Sequence, residues 1–197
     1  MAYSASTGFR FRKSLSGKDE PAAVNFRVAN SSTLKIGDAV RLNTGGFLVR
    51  AAAGNPVLGV LVGLYGGDSE NDGLNLFAFG APTTGATLTE DDQAATASDN
   101  QTRQTFVSGA VACDPSGDVL WYNDADGDLA RTNLLQCFDV VAASGQIDNT
   151  SASDSNGQFQ LVQLDPDGDG DLSKGLFRIA EGELAVGVDQ GNAKVAA

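Results

Sequence analysis

The stretch Gly37-Asp38-Ala39-Val40-Arg41-Leu42-Asn43-Thr44-Gly45-Gly46-Phe47-Leu48-Val49-Arg50 carries the pattern that decides the fold. It predicts a strand over 39–42, a turn over 43–46 and a returning strand over 47–50. Asn and Gly tolerate the positive φ that tight hairpin turns require, so the stretch indicates a β-hairpin. Short apolar runs bounded by Gly, Asn and Asp recur along the chain, and helical periodicity is nearly absent. The sequence therefore predicts an all-β protein.

The hairpin is followed by a near-continuous apolar run, Val57-Leu58-Gly59-Val60-Leu61-Val62. A strand with apolar side chains on both faces is typical of a position buried on both sides. Glycines inside such a strand mark bends or close approaches of the backbone, and Gly59 and Gly63 are predicted to do so.

A second stretch with a similar order of elements begins at Gly117-Asp118. The segments that it predicts are a strand, a longer turn, a return strand and a further strand, at 119–122, 123–128, 129–131 and 138–142. Two more strand-like runs lie at 76–79 and 159–162. Either the chain contains an internal duplication, with units near 34–113 and 114–190, or this is the self-similarity that any Gly-punctuated β chain shows.

The predicted architecture is β-barrel-like or β-tulip-like, with an extended N-terminal arm and long polar loops. A basic arm is assigned to 1–22, a first β unit to 23–113 and a second to 114–197. One continuous β domain is the alternative to two units. The long polar segments, 83–105 and 144–157, are rich in Ser, Thr, Asp and Asn, which predicts surface loops.

Composition excludes several function classes. The chain of 197 residues has no His, so it has no Ser-His-Asp triad, no Cys-His pair and no His-rich zinc site. It carries 13 basic and 25 acidic side chains, for a net charge of −12. That balance disfavours binding to nucleic acid and to anionic membranes, which both require clustered Lys and Arg. No cluster of acid, base and nucleophile is visible, so the chain is predicted not to be an enzyme.

Two features have more than one interpretation. Cys113 and Cys137 match no metal-ligand spacing, and they are either buried thiols or one disulfide. Trp121-Tyr122 beside a polar turn is either part of the β core or a platform for carbohydrate.

The charge is unevenly distributed along the chain. Residues 1–50 carry eight basic and three acidic side chains, whereas residues 51–197 carry five and 22. The basic part contains an alternating run that forms the candidate partner-binding set: Phe9, Arg10, Phe11, Arg12 and Lys13. In a strand, its Phe side chains would share one face and its Arg side chains the other. The run is either an arm that adds to a partner's sheet edge or lies on an acidic surface, or the first strand of the protein's own barrel, with its Arg residues meeting the acidic body.

The sharpest local motif is Asp165-Pro166-Asp167-Gly168-Asp169-Gly170-Asp171. Carboxylates at alternate positions around a Gly turn are able to converge on calcium. An EF-hand loop would need Glu at its twelfth position, where this chain has Leu176, so that motif is excluded. The candidate metal ligands are Asp165, Asp167, Asp169 and Asp171, and the cofactor that they would bind is calcium. The alternative is a solvated acidic turn in which Asp and Gly serve the backbone geometry.

The segments around the first hairpin resemble the capsid decoration, or cement, proteins of tailed bacteriophages. The similarity lies mainly in 34–65, in the runs Gly37-Asp38-Ala39-Val40, Asn43-Thr44-Gly45-Gly46-Phe47-Leu48-Val49, Ala51-Ala52-Ala53-Gly54 and Val57-Leu58-Gly59-Val60. The resemblance implies a β-barrel or β-tulip that binds outside the capsid lattice and reinforces it, with no catalytic residues. It implies the major capsid protein and further copies of the chain, as in a trimer, as partners. The expected location is the outer surface of the virion capsid, after synthesis in the host cytoplasm. The alternative function is a calcium-dependent β-rich binding or adhesion module.

Overall fold

Ten β-strands provide the regular structure of the parts of the chain that this computed structural model describes, residues 8–17, 22–29, 34–66, 107–114 and 117–180. The strands are β1 (Arg10–Ser14), β2 (Ala23–Arg27), β3 (Ala39–Leu42), β4 (Leu48–Arg50), β5 (Gly59–Gly66), β6 (Val107–Cys113), β7 (Val119–Asp124), β8 (Cys137–Phe138), β9 (Phe159–Leu164) and β10 (Lys174–Ile179).

These strands form two antiparallel sheets of five strands each. Sheet A has the order β1-β7-β10-β9-β8, and sheet B has the order β2-β6-β5-β3-β4. Within the described ranges no helix is long and apolar enough to cross a membrane. The predicted all-β class is confirmed.

The predicted hairpin forms as the pair β3 and β4, with Arg41 opposite Val49. Asn43 closes its turn: the Asn43 amide donates to the carbonyl of Phe47 at 2.9 Å. The side-chain oxygen of Asn43 accepts from the amides of Gly45 at 2.9 Å and Phe47 at 3.0 Å. This prediction is confirmed because the turn is determined by residues next to each other in the chain.

Sheet B is buried on both faces at the start of β5, around Val60 and Leu61. Val60 and the adjacent Leu61 point to opposite faces, and each has no exposed surface. Val60 belongs to one apolar cluster and Leu61 to another. A Cβ on Gly59 would overlap the carbonyl oxygen of Ala112 on β6, so this glycine marks a close approach. The predicted burial of this strand on both faces is confirmed.

The two outer strands of sheet B are brought together by the chain that follows β2. Val28 forms a parallel bridge with Leu48 on β4, and the Ala29 amide donates to the Leu48 carbonyl at 2.8 Å. A sheet whose first and last strands meet in this way must curl on itself. The second apolar cluster comprises Val28, Leu34, Val40, Leu48, Leu58, Leu61 and Val111.

The first apolar cluster lies between the two sheets and takes residues from both. Ala39, Val60 and Ala112 come from sheet B, whereas Trp121 and Phe177 come from sheet A. Trp121 is fully buried, which agrees with its interpretation as a core residue. The sheets therefore share one core.

The predicted units divide between the sheets. The change from β6 in sheet B to β7 in sheet A coincides with the predicted boundary at 113/114, but β1, from the predicted arm, belongs to sheet A. Whether 23–113 and 114–197 fold separately stays a prediction. The run 76–79 and the loop 83–105 lie outside the described residues.

The second predicted hairpin is wrong. Residues 129–131 do not return along β7; instead, a 3-10 helix occupies Arg131–Asn133. The physical reason is that β7 already has β1 on one side and β10 on the other, which leaves no edge for 129–131. Beyond β7, the Ala125 amide donates to the Ser173 carbonyl at 2.7 Å, which directs the chain away.

The polar segment 144–157, which was predicted to be a surface loop, contributes a side chain to the core. Ile147 within it has no exposed surface and forms bridges with Ala125 and Val140. Because polar Ser, Asp and Asn residues surround Ile147 in the sequence, the composition of the segment gave no sign that this side chain is buried.

Candidate interaction surface

The strand β1 is an edge of sheet A. It pairs with β7, with Arg10 opposite Tyr122 and Ser14 opposite Val119, and the register shifts between Phe11 and Lys13. Within the described ranges no strand pairs with its other side. The backbone groups along that side are therefore those to which a further strand would add.

The aromatic side chains of β1 and its preceding residue point inward, as the alternation predicts. Phe9 is 3% exposed and stacks on Phe159 with ring centroids 4.1 Å apart. Phe11 meets Trp121 edge to face at 6.2 Å. Of the two interpretations of this run, the structure shows a strand in the protein's own sheet. Contact of these residues with a partner stays a prediction.

Arg10 lies on the outward face and is held against sheet A. Its guanidinium carbon is 4.5 Å from the centroid of the Tyr122 ring, a cation–π arrangement, and its Nη2 is 3.7 Å from Asp124 Oδ2. Burial, with a smaller effect of the Asp124 charge, raises the pKa of the Tyr122 hydroxyl. Arg10 is therefore partly occupied by contacts within its own chain.

Arg12 and Lys13 are the exposed cations of β1. The Nη2 atom of Arg12 is 3.4 Å from Asp167 Oδ1, and both side chains are exposed to solvent. An ion pair in solvent is weak and readily exchanged, so Arg12 remains available to another carboxylate. The end of β1 is fixed by Asp118, which accepts from the amide of Ser16 at 2.8 Å and from its hydroxyl at 2.6 Å.

The acidic turn that follows β9 is organised by its own first residue. Asp165 has a φ of 46°, and its carboxylate accepts from the amides of Asp169 at 3.1 Å and Gly170 at 3.0 Å. The Asp165 carboxylate thus holds the backbone in a turn, which is the structural role of Asp that the alternative interpretation describes.

Lys174 neutralises the far end of this turn. Its Nζ donates to Asp169 Oδ2 at 2.7 Å and lies 3.0 Å from Asp171 Oδ2. The ammonium contact, together with other hydrogen bonds, lowers the pKa of Asp169. Hydrogen bonds from Ser173 and then Lys174 lower the pKa of Asp171 to about 2. The pKa of Lys174 is raised by the same two carboxylates.

The structure therefore connects the two sets of predicted site residues through an ion pair and surrounds the acidic turn with cations. Asp167 meets Arg12, while Asp169 and Asp171 meet Lys174. Among the described residues, no group of three or more His, Cys, Asp or Glu side chains is arranged to hold a metal ion. Calcium binding by this turn stays a prediction, and the geometry gives it no support.

Sequence reasoning missed a buried ion pair between Asp38, just before β3, and Arg50 on β4. Asp38 has no exposed surface, and its Oδ2 accepts from the Lys35 amide at 2.8 Å and from two nitrogens of Arg50. Arg50 Nη1 also donates to the Ala142 carbonyl at 2.9 Å, and Lys35 Nζ donates to the Ser144 carbonyl at 2.9 Å. Arg50 of β4 and Lys35, which precedes β3, thus hold the turn after Val140. The position of Asp38 just before a strand was the one available signal, and it did not reveal burial.

Gln158 makes a second such connection and was also missed. It is fully buried, and its Nε2 donates to the carbonyls of Ala52 at 2.8 Å and Asn55 at 2.7 Å. Its Oε1 accepts from the Val140 amide at 2.9 Å. All three partners are backbone groups, which every residue carries, so the sequence does not indicate which residues Gln158 contacts.

The cysteines are both half-buried thiols. Cys113 lies on β6 and Cys137 on β8, in different sheets. Burial raises the pKa of the Cys113 thiol, which makes it a poorer nucleophile at neutral pH.

Comparison with known proteins identifies no relative: no family model, no curated protein and no solved structure matches the chain.

Proposed function

We propose that this chain is a structural virion protein that decorates a bacteriophage capsid and stabilises it by bridging neighbouring major capsid protein subunits. The observation that carries the proposal is the edge position of β1, which presents Arg12 and Lys13 to solvent on an otherwise acidic chain. The resemblance of 34–65 to decoration proteins supports the same function.

An edge strand and exposed cations suit broad contact with another protein surface. A segment of the partner is able to extend sheet A by hydrogen bonding along the outer side of β1, which gives affinity through the main chain. Arg12 and Lys13 then favour a partner with carboxylates at the matching positions. Binding at many equivalent sites on a lattice adds avidity to a contact that is weak at each site.

The acidic remainder of the chain has a separate part in this proposal. Residues 51–197 carry 22 acidic side chains against five basic ones. A body of one charge sign, facing outward, keeps decorated particles mutually repulsive and in solution.

The test uses charge reversal, because truncation is unsuitable. Removing the N-terminal residues would also remove Phe9, whose ring stacks in the core, and any loss of binding would have two causes. Lys13→Glu instead changes an exposed residue of β1. Arg131→Glu is the matched control: it makes the same change of charge at an exposed residue preceding β8, the opposite edge strand of sheet A.

The two variants and the unchanged chain are supplied to capsids from the native source, and occupancy is measured by mass photometry and gradient sedimentation. We expect Lys13→Glu to lower occupancy at least about tenfold at moderate salt and Arg131→Glu to leave it nearly unchanged. Equal occupancy for all three chains would refute a contact through β1. Absence of the unchanged chain from every large particle would refute the virion role itself.

A further inference from the structure

Asn156-Gly157 is the one Asn-Gly pair in the sequence, and it lies in an exposed part of the structure. Asn followed by Gly is the pair most prone to cyclise, because Gly has no side chain to hinder approach of its own amide nitrogen to the Asn carboxamide.

The loop 154–157 that contains this pair is anchored at both ends to neighbouring residues of β8. Before the loop, the Cys137 amide donates to the Ser153 carbonyl at 2.8 Å, and the Ser153 amide donates to the Cys137 carbonyl at 2.9 Å. After it, the Gln158 amide donates to the Phe138 carbonyl at 2.8 Å. The loop therefore has a fixed span with little room for added length.

Gly157 itself lies directly against β8. A Cβ at this position would be 2.6 Å from the Phe138 nitrogen and 2.7 Å from the Cys137 carbonyl carbon. Backbone added next to Gly157 therefore has no space toward the strand, and any adjustment must move Ser153 or Gln158.

We propose that Asn156 is a site of spontaneous deamidation and isomerisation that acts on the contact between the two sheets. The Gly157 amide nitrogen loses its proton to base and bonds to Asn156 Cγ, and the side-chain nitrogen leaves as ammonia. Water then opens the five-membered imide. Cleavage at the side-chain carbonyl gives Asp, and cleavage at the backbone carbonyl gives isoaspartate, whose main chain is one carbon longer.

The consequence for the fold follows from Gln158, two residues further along. Its side chain joins sheet A to the backbone of Ala52 and Asn55, and these hydrogen bonds need Gln158 to keep its place on Phe138. An isoaspartate at 156 lengthens the anchored loop and displaces that residue. The product with Asp alone keeps the original backbone length and leaves Gln158 in place.

The test incubates the full chain in mildly alkaline buffer at body temperature and follows it by peptide mass spectrometry. Trypsin releases a peptide spanning 132–174, which contains both Asn156 and the internal control Asn149, followed by Thr150. We expect a gain of about 1 Da that fragmentation places at Asn156, formed at least about tenfold faster than any gain at Asn149. Asn156→Gln should abolish it, because the longer side chain closes a larger ring.

Hydrophobic-interaction chromatography then separates the aged chains into Asp and isoaspartate fractions, which carry the same net charge, and their thermal unfolding is compared with that of fresh protein. The isoaspartate fraction should melt lower than the Asp fraction, while Asn156→Gln aged in parallel should keep its melting temperature. Equal rates at Asn156 and Asn149 would overturn the proposed site. Equal melting of the two product fractions would overturn the proposed effect on the sheet contact.

Discussion

The guanidinium of Arg50 donates twice to a single oxygen of the fully buried Asp38, with Nε at 2.9 Å and Nη2 at 2.7 Å from Oδ2. A carboxylate without water needs such compensation, because the interior solvates its charge poorly. Burial still raises the pKa of Asp38, although Lys35 and Arg50 act against it. The stability of the fold around Asp38 therefore depends on Arg50.

Arg50→Met should lower the free energy of unfolding by about 3 kcal/mol, because it strands the carboxylate of Asp38 in the interior. Urea unfolding at neutral pH measures the loss. A folded-state pKa above the unfolded one gives stability that is present at low pH and lost as pH rises through it. Without Arg50 the pKa of Asp38 is raised further. The loss of unfolding free energy in Arg50→Met should therefore be smaller in acid than at neutral pH.

The double variant Asp38→Asn/Arg50→Met provides the control for this explanation. It removes both charges, so it should be more stable than Arg50→Met alone. If the double variant loses as much free energy of unfolding as the sum of the losses in Asp38→Asn and Arg50→Met, the ion pair is not the cause.

Gln158→Glu should destabilise the chain by about 2 kcal/mol or more at neutral pH, because a carboxylate cannot donate to the Ala52 and Asn55 carbonyls. The buried carboxyl would have a raised pKa, so part of the stability should return as pH falls and it regains a proton to donate. Gln163→Glu, at an exposed position of β9, is the matched charge control. Thermal unfolding of Gln158→Glu and Gln163→Glu is measured across pH. Equal changes of melting temperature in the two variants would contradict a role for the Gln158 amide.

The hydrogen bonds from Ser173 and Lys174 to Asp171 predict a specific loss of stability in acid. A lowered folded-state pKa gives stability that is present above the ordinary value of 3.8 and lost as pH falls through about 2. The melting temperatures of the unchanged chain and Asp171→Asn should therefore converge over that interval. Ser173→Ala, which removes the strongest contact, should raise the pKa of Asp171 in a carboxyl NMR titration. An unmoved pKa would rule out this cause.

Leu135→Gly should stabilise the protein by up to about 1 kcal/mol, since Leu135 adopts a φ of 67°, where side chains are strained and Gly is not. Its backbone is held there by bonds to Leu161 and Gln160, and 65% of the residue is exposed, so little packing is lost. Leu134→Gly is the neighbouring control: with a φ of −58° it has no strain to release and should destabilise. Equal effects in chemical denaturation would contradict this explanation.

Sequence patterns predicted the parts of this fold that depend on neighbouring residues. Asn43 and the glycines after it determine one turn, and alternation in 9–13 correctly assigned aromatic and basic side chains to opposite faces of β1. The partner of a strand is a different matter. The sequence of 119–124 does not predict that β7 pairs with β1 and β10. These pairings depend on which other segments of the chain compete for the two edges of β7.

The same limit explains which site contacts were missed. The acidic residues of 165–171 were evident, but the cation that meets Asp169 and Asp171 lies on β10, and only the fold brings Lys174 to them. Buried hydrogen bonds such as those of Gln158 end on backbone carbonyls, which every residue carries. Their location cannot be inferred from side-chain type.

The pairing of β1 with β7 also has a consequence for biosynthesis. Ser14 leaves the ribosome long before its partner Val119, and the neighbouring β10 follows later still. Sheet B, whose described strands all precede β7, is able to form first, whereas β1 must wait for the later strands of sheet A. During that delay the cations of β1 help to keep the side chains of Phe9 and Phe11 from aggregating with other nascent chains. The first of the described strands in chain order is thus among the last to reach its native position.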